Sequence, residues 1–174
     1  AVAAAGRALY TVKSKAVIKT SPFIEITREN IRDLEADALS NAIQILSEKS
    51  SQDGLKNYYC VGFSPIKWFL EDEALDNLIG QKGSNISVEI VATFLPRTVV
   101  ESLLTVLARC DLGLESLTLE PIAAGDVVVL PSMRRLNIAL VDIGAGTSDI
   151  AISRDGSIFA YGMVPMAGDE ITEK

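Results

Sequence analysis

Val141-Asp142-Ile143-Gly144-Ala145-Gly146-Thr147-Ser148-Asp149-Ile150-Ala151-Ile152 sets two apolar segments on either side of a glycine turn. Leu136–Val141 is a nearly continuous apolar strand, Asp149–Ser153 reads as a second strand, Asp155-Gly156 as a hairpin turn and Ile158–Val164 as a third strand. The glycines fall between two strands and not between a strand and a helix, so the dinucleotide fingerprint does not apply, and GxxxxGK[ST] is missing. What remains is a hairpin whose backbone N–H groups can approach an anion closely, because glycine has no Cβ. Thr147 and Ser148 add hydroxyl donors, and Asp142 is placed to hold Mg²⁺ through water. On these residues alone a plain chain-reversing turn reads equally well. A second glycine turn at a helix entry, Gly168-Asp169-Glu170, favours the anion grip, since backbone donors at a helix start attract anions.

Upstream of the hairpin, Pro121 starts a short apolar helix that ends before Pro131. Residues 22–120 read as a compact unit of their own, opened by the turn at Ser21-Pro22. Thr27 is an N-cap, followed by Ile31, Leu34, Ala38, Ala42 and Ile45 at helical spacing, and Ser47–Asn57 reads as a polar loop. Tyr58–Phe63 and the alternating Ile66, Trp68 and Leu70 predict two short strands, and Ile86, Val88, Ile90, Ala92 and Phe94 share one face of a longer one. Pro96 opens a helix with the stripe Val99, Val100, Leu103, Leu104 and Leu107, closed by Gly113, and Leu117 and Leu119 add a strand. Ahead of this unit, Tyr10, Val12, Ala16 and Ile18 alternate with Thr11, Lys13, Lys15 and Lys19, the pattern of a half-buried strand with a solvated basic face.

The composition narrows the chemistry. The 174 residues are 48% hydrophobic and 22% charged, enough for a real core in one domain or two small ones. The net charge of −7 repels phosphate backbones and speaks against a nucleic-acid binder. It is unevenly spread: residues 1–22 carry Arg7, Lys13, Lys15 and Lys19 and no acid, whereas 23–120 carry eight bases against sixteen acids. No apolar run approaches the ~18 residues of a membrane-spanning helix. With no His, His-based triads, His general bases and most zinc sites are excluded. Cys60 and Cys110 stand singly in apolar stretches and read as buried reduced thiols. The chain opens on Ala1 with no basic segment before an apolar core, so no signal peptide is visible, and it ends just after a helix start. It is expected to be a piece of a longer protein.

Val141-Asp-Ile-Gly-Ala-Gly-Thr-Ser-Asp-Ile-Ala-Ile152 resembles the second phosphate motif of the actin-like ATPases, and Pro165-Met-Ala-Gly-Asp-Glu-Ile-Thr172 resembles the segment that follows it in the FtsA family. The resemblance runs back through Glu120-Pro-Ile-Ala-Ala124, Ala92-Thr-Phe-Leu-Pro96 and Val2-Ala-Ala-Ala-Gly6. It implies an α/β (α+β) fold: part of an actin-like, ribonuclease H-like sheet carrying a small inserted α/β subdomain. Residues 1–21 would be strands of subdomain 1A, 22–120 the inserted subdomain 1C, and 121–174 the return to the sheet with the phosphate hairpin. The implied cofactors are ATP and Mg²⁺, with Asp142 facing the metal through water, Gly144, Gly146, Thr147 and Ser148 at the phosphates, and Gly168 near the nucleotide. The implied role is a polymerising cell-division scaffold, cytoplasmic at the inner face of the membrane, that links the FtsZ ring and self-associates through the inserted subdomain. At most a slow ATPase is expected of the parent and no activity of this piece, which lacks the other half of the phosphate clamp. Ala145 departs from the family, standing where glycine is common, and its methyl disfavours φ > 0. A PilM-like pilus-assembly ATPase is the near alternative; a small-molecule kinase of the same superfamily and a DnaK-type chaperone ATPase are the alternatives of other classes.

Overall fold

A computed structural model describes residues 1–4, 9–53, 58–133, 135–154 and 157–172. The expected hairpin turn at Asp155-Gly156 lies outside the described residues. The chain divides into two compact units: Ala1–Thr11, Asn57–Gly62 and Thr93–Lys174 form one, and Val12–Lys56 with Phe63–Ala92 the other.

The second unit is built on a four-stranded sheet. Its strands are β2 (Tyr10–Lys19), β3 (Tyr58–Leu70), β4 (Glu73–Leu75) and β5 (Asn85–Pro96), in the order β2-β5-β3-β4. The central position of β5 explains a feature that its sequence only half declares. Ile86, Val88, Ile90 and Ala92 are buried as their shared face predicts, but Ser87 and Val91 on the other face are buried too. A strand flanked by neighbours and covered on both faces loses the alternation seen at an edge.

Helix α1 (Arg28–Asp53) packs Leu34, Ala38, Ala42 and Leu46 inward, with Ile45 only half-buried beside them. Its start is the expected one: Thr27 Oγ1 accepts from the Asn30 N–H at 3.3 Å, while Asn30 Oδ1 accepts from the Thr27 N–H at 2.9 Å, a reciprocal cap. Its end differs from expectation, because residues 47–53 continue the helix where a loop was predicted. Ser and Asn have weak helix propensity but do not stop a helix that is already propagating. Two side chains tie α1 to β2: Ser14 Oγ donates to the Ala38 carbonyl at 2.6 Å, and Asn41 Nδ2 donates to the Lys15 carbonyl at 2.9 Å.

The two predicted strands after α1 are one continuous β3, running through Pro65. Strand β4 pairs only with Trp68–Leu70, so Pro65 lies where β3 has a neighbour on one side, the place a proline is tolerated. Between β3 and β4, Glu71 and Asp72 both adopt positive φ, 47° and 68°. This two-residue connection has the signature of a type I′ turn, whose twist suits a hairpin.

In the first unit, β1 (Val2–Ala4) pairs in parallel with β6 (Leu117–Leu119). Helix α2 (Arg97–Arg109) follows Pro96, which serves as its N-cap and not as its first turn. Val100 is buried, while Leu104 of the expected stripe is 39% exposed. Cys110 caps the helix, and Asp111 takes the left-handed conformation (φ 56°) that Gly113 was expected to supply. Cys110 is exposed by this position and Cys60 half-buried, against the expectation of two buried thiols. Helix α3 (Glu120–Val128) lies beside a three-stranded antiparallel sheet of β7 (Ile138–Ile143), β8 (Ser148–Arg154) and β9 (Ser157–Val164), after which α4 (Asp169–Thr172) begins.

Candidate functional site

The glycine turn joins β7 to β8 as the sequence predicts, with Ile143 opposite Ser148 as the last cross-strand pair. The turn is closed by the Gly144 N–H, which donates to the Thr147 carbonyl at 3.0 Å. Its carbonyls are engaged from outside: Gly144 O accepts from the Gly168 N–H at 3.1 Å, and Ala145 O from the Asp169 N–H at 2.9 Å. Ser148 Oγ donates to the Met166 carbonyl at 2.7 Å, a third tie to the same incoming segment. The two glycine turns singled out in the sequence are therefore one structure.

Glycine is required at two points of this junction by close approach. A Cβ at Gly168 would stand 3.2 Å from the Gly144 carbonyl oxygen, and one at Gly144 would stand 3.3 Å from that of Thr147. Ala145, by contrast, has no positive φ, so its methyl carries none of the strain that its departure from the family pattern suggests.

None of the turn's backbone hydrogen bonds uses the N–H groups of Ala145, Gly146 or Thr147. These are three successive donors at an exposed to half-exposed turn, the kind of group that an anion can engage. The expected site residues thus separate by task. Gly144 and Gly168 allow backbones to meet, Ser148 anchors the loop, and the N–H groups that the turn's backbone bonds leave unused belong to Ala145, Gly146 and Thr147.

Below the turn is a group of acids. Asp142 and Asp149 are direct cross-strand partners, so their side chains leave the same face of the sheet. Asp149 is buried, and its carboxyl is pushed above the ordinary Asp value first by that burial and then by the charge of Asp142. Glu120, the first residue of α3, is likewise raised, by burial and then by Asp142 and Asp149. The reading of the sequence placed only Asp142 here. Asp149 was accessible by counting back from the turn, since a hairpin pairing 143 with 148 must pair 142 with 149. Glu120 was not, because its place depends on how α3 packs. Among the described residues no three such groups stand close enough to ligate a metal directly.

The fold defines the class. Over 94% of its length the chain matches 42% of a chain in the PilM-PilN type IV pilus biogenesis complex, with a TM-score of 0.53 and 17% identity, so it has the fold of an actin-like ATPase. The sequence relatives are more particular. The cell division protein FtsA of Neisseria meningitidis is 30% identical over 95 residues, 55% of this chain and 23% of that protein. FtsA of Escherichia coli K12 is 22% identical over 148 residues (85% and 33%), and that of Buchnera aphidicola from Schizaphis graminum 23% over 149 (86% and 33%). The chain is thus similar in sequence to FtsA proteins of diverse bacteria. No protein-family model matches it. It spans about a quarter to a third of the length of the FtsA proteins it matches.

Proposed function

We propose that the turn at residues 144–147 is one jaw of an ATP-phosphate clamp in an FtsA-type cell-division protein. One observation carries this reading: three adjacent backbone donors, at Ala145, Gly146 and Thr147, are left unused by the turn's backbone bonds and follow closely on the Asp142–Asp149 pair. Asp142 would hold Mg²⁺ through water, and Glu120 would orient a water near the phosphate. In the intact protein this site would support at most slow ATP hydrolysis. Residues 22–120 would form the inserted subdomain, completed by β2 from the preceding residues, and serve self-association. With 1–21 and 121–174 as parts of the actin-like body, the parent would polymerise and connect FtsZ and other division proteins to the inner face of the membrane. The fold shared with a chain of the PilM-PilN complex supports a second reading, a pilus-assembly ATPase.

The clamp is tested on the chain itself. A single jaw offers a few hydrogen bonds of about 0.5–1.5 kcal/mol each, so Mg-ATP is expected to bind more weakly than roughly 100 μM. Millimolar Mg-ATP should still move the amide resonances of Ala145, Gly146 and Thr147 more than any others. Gly146→Val should remove those shifts, because it sets a branched side chain where phosphate must approach. Shifts that spare these amides, or that survive Gly146→Val, would reduce the turn to a plain hairpin.

A further inference from the structure

Two of the three donors that the glycine turn leaves unused belong to peptide units whose carbonyls are already held. The Ala145 N–H shares a planar unit with the Gly144 carbonyl, which accepts from the Gly168 N–H at 3.1 Å. The Gly146 N–H shares one with the Ala145 carbonyl, which accepts from the Asp169 N–H at 2.9 Å. Among the described residues no backbone donor reaches the carbonyl of the third unit, the one that carries the Thr147 N–H. In a trans peptide the N–H is directed opposite to the carbonyl, and the described chain has no cis bond. Holding those two carbonyls on residues 168 and 169 therefore sets the Ala145 and Gly146 N–H groups toward the side of the turn away from those residues.

A carbonyl that accepts a hydrogen bond also makes the N–H of its own peptide unit a stronger donor, by about 10–30%. We infer that Gly168 and Asp169 are positioning residues of the phosphate clamp: their N–H groups make no bond to the anion but orient and polarise the Ala145 and Gly146 donors that do. The inference rests on the reading of residues 144–147 as that clamp. It changes the task that the sequence suggested for the second glycine turn, which was to offer its own donors to an anion. It also makes the effect reciprocal: whatever factor the two ties add to the affinity for an anion, a bound anion adds to the stability of the ties.

The test is a titration of the isotope-labelled chain with Mg-ATP, followed by amide shifts and amide hydrogen exchange. The Ala145, Gly146 and Thr147 amides should shift, and exchange at Gly168 and Asp169 should slow by about threefold as the site fills. Asp169→Pro removes one tie at the first position of α4, where proline suits a helix but has no N–H to give. The variant should bind Mg-ATP about threefold more weakly, with the Gly146 shift reduced relative to that of Thr147, whose unit has no tie to lose. Asp169→Asn keeps the N–H and should bind at least as well as the unaltered chain. Should Asp169→Pro fail to fold, the exchange measurement on the unaltered chain decides by itself. An unaltered chain that shows no shift at residues 145–147 overturns the clamp and this inference with it. Shifts there with unchanged exchange at Gly168 and Asp169, or an Asp169→Pro variant that binds as tightly as Asp169→Asn, overturn the positioning role alone.

Discussion

Asp142 and Asp149 stand directly opposite each other across the β7–β8 pair, two carboxylates on one face of a sheet with Glu120 from α3 facing both. Like charges placed this way disfavour the folded chain, and partial burial prevents water from screening them fully. Burial and Asp142 both act on Asp149 in the same direction, raising its carboxyl above the ordinary Asp value.

The first prediction follows from that repulsion. Asp149 has a native value raised above 3.8, so its contribution to stability is fully present below pH 3.8 and is lost as pH rises through the raised native value. Asp149→Asn removes this loss. In metal-free buffer at pH 7 the variant should melt about 2–4 °C higher, what ~1 kcal/mol amounts to at this chain length. The advantage should fade as pH falls toward 3.8. A variant that melts lower at pH 7 would show that Asp149 is held by favourable contacts.

Glu71 titrates with the opposite sign. Its carboxylate accepts from the Ser84 N–H, from the Asn85 N–H at 3.2 Å and from Asn85 Nδ2 at 3.0 Å, and these bonds, that of Ser84 foremost, hold it below 4.5. Its stabilising effect is therefore complete above pH 4.5 and is lost as pH falls through the lowered native value. Glu71→Gln should flatten the acid limb of the stability–pH curve, measured by urea unfolding between pH 2 and 5. The bond network, not the charge alone, is at issue if Glu71→Ala and Glu71→Gln differ in that limb.

The Asp72 backbone offers a test of the hairpin. At φ 68° a non-glycine residue is strained, by about 1 kcal/mol relative to glycine. Asp72→Gly should stabilise the chain by up to that amount, provided the turn is type I′ in solution. Loss of stability in thermal melts would argue for another turn geometry.

At the junction of the two glycine turns, Gly168→Ala presses a methyl to 3.2 Å from the Gly144 oxygen. The Gly168 and Asp169 N–H bonds to Gly144 and Ala145 should lengthen, with a loss of about 0.5–1.5 kcal/mol. Amide hydrogen exchange at Gly168 and Asp169 should quicken while that of β7 and β8 stays unchanged. Exchange that is unaltered at both positions would mean that the segment yields without opening the junction.

The core of the second unit gives the largest expected effect. Leu34 on α1 is fully buried, and Leu34→Ala should cost about 2–5 kcal/mol by leaving a cavity. Denaturant unfolding followed by circular dichroism measures it directly. A cost below about 1 kcal/mol would mean that α1 settles to refill the space.

Local pattern alone was enough to find several elements of both units. The period-2 alternation of β2, the cap at Thr27 with its helical stripe, and the apolar–glycine–apolar order at 136–153 all depend on neighbours a few residues apart, and the backbone obeys them. The exclusion of His chemistry and the resemblance to the actin-like ATPases were likewise readable without coordinates. What needed the tertiary structure was everything set by contacts between distant segments. Burial of both faces of β5 depends on what packs above and below a central strand, and α1 runs on to Asp53 through residues with weak helix preference. Glu120 joins the two aspartates because α3 packs beside the hairpin, and Gly144 turns out to close the turn while the N–H groups of Ala145, Gly146 and Thr147 stay unused by its backbone bonds. Short-range sterics and periodicity are written residue by residue, but which donor is left over after the chain has satisfied itself is known only when every other partner is in place.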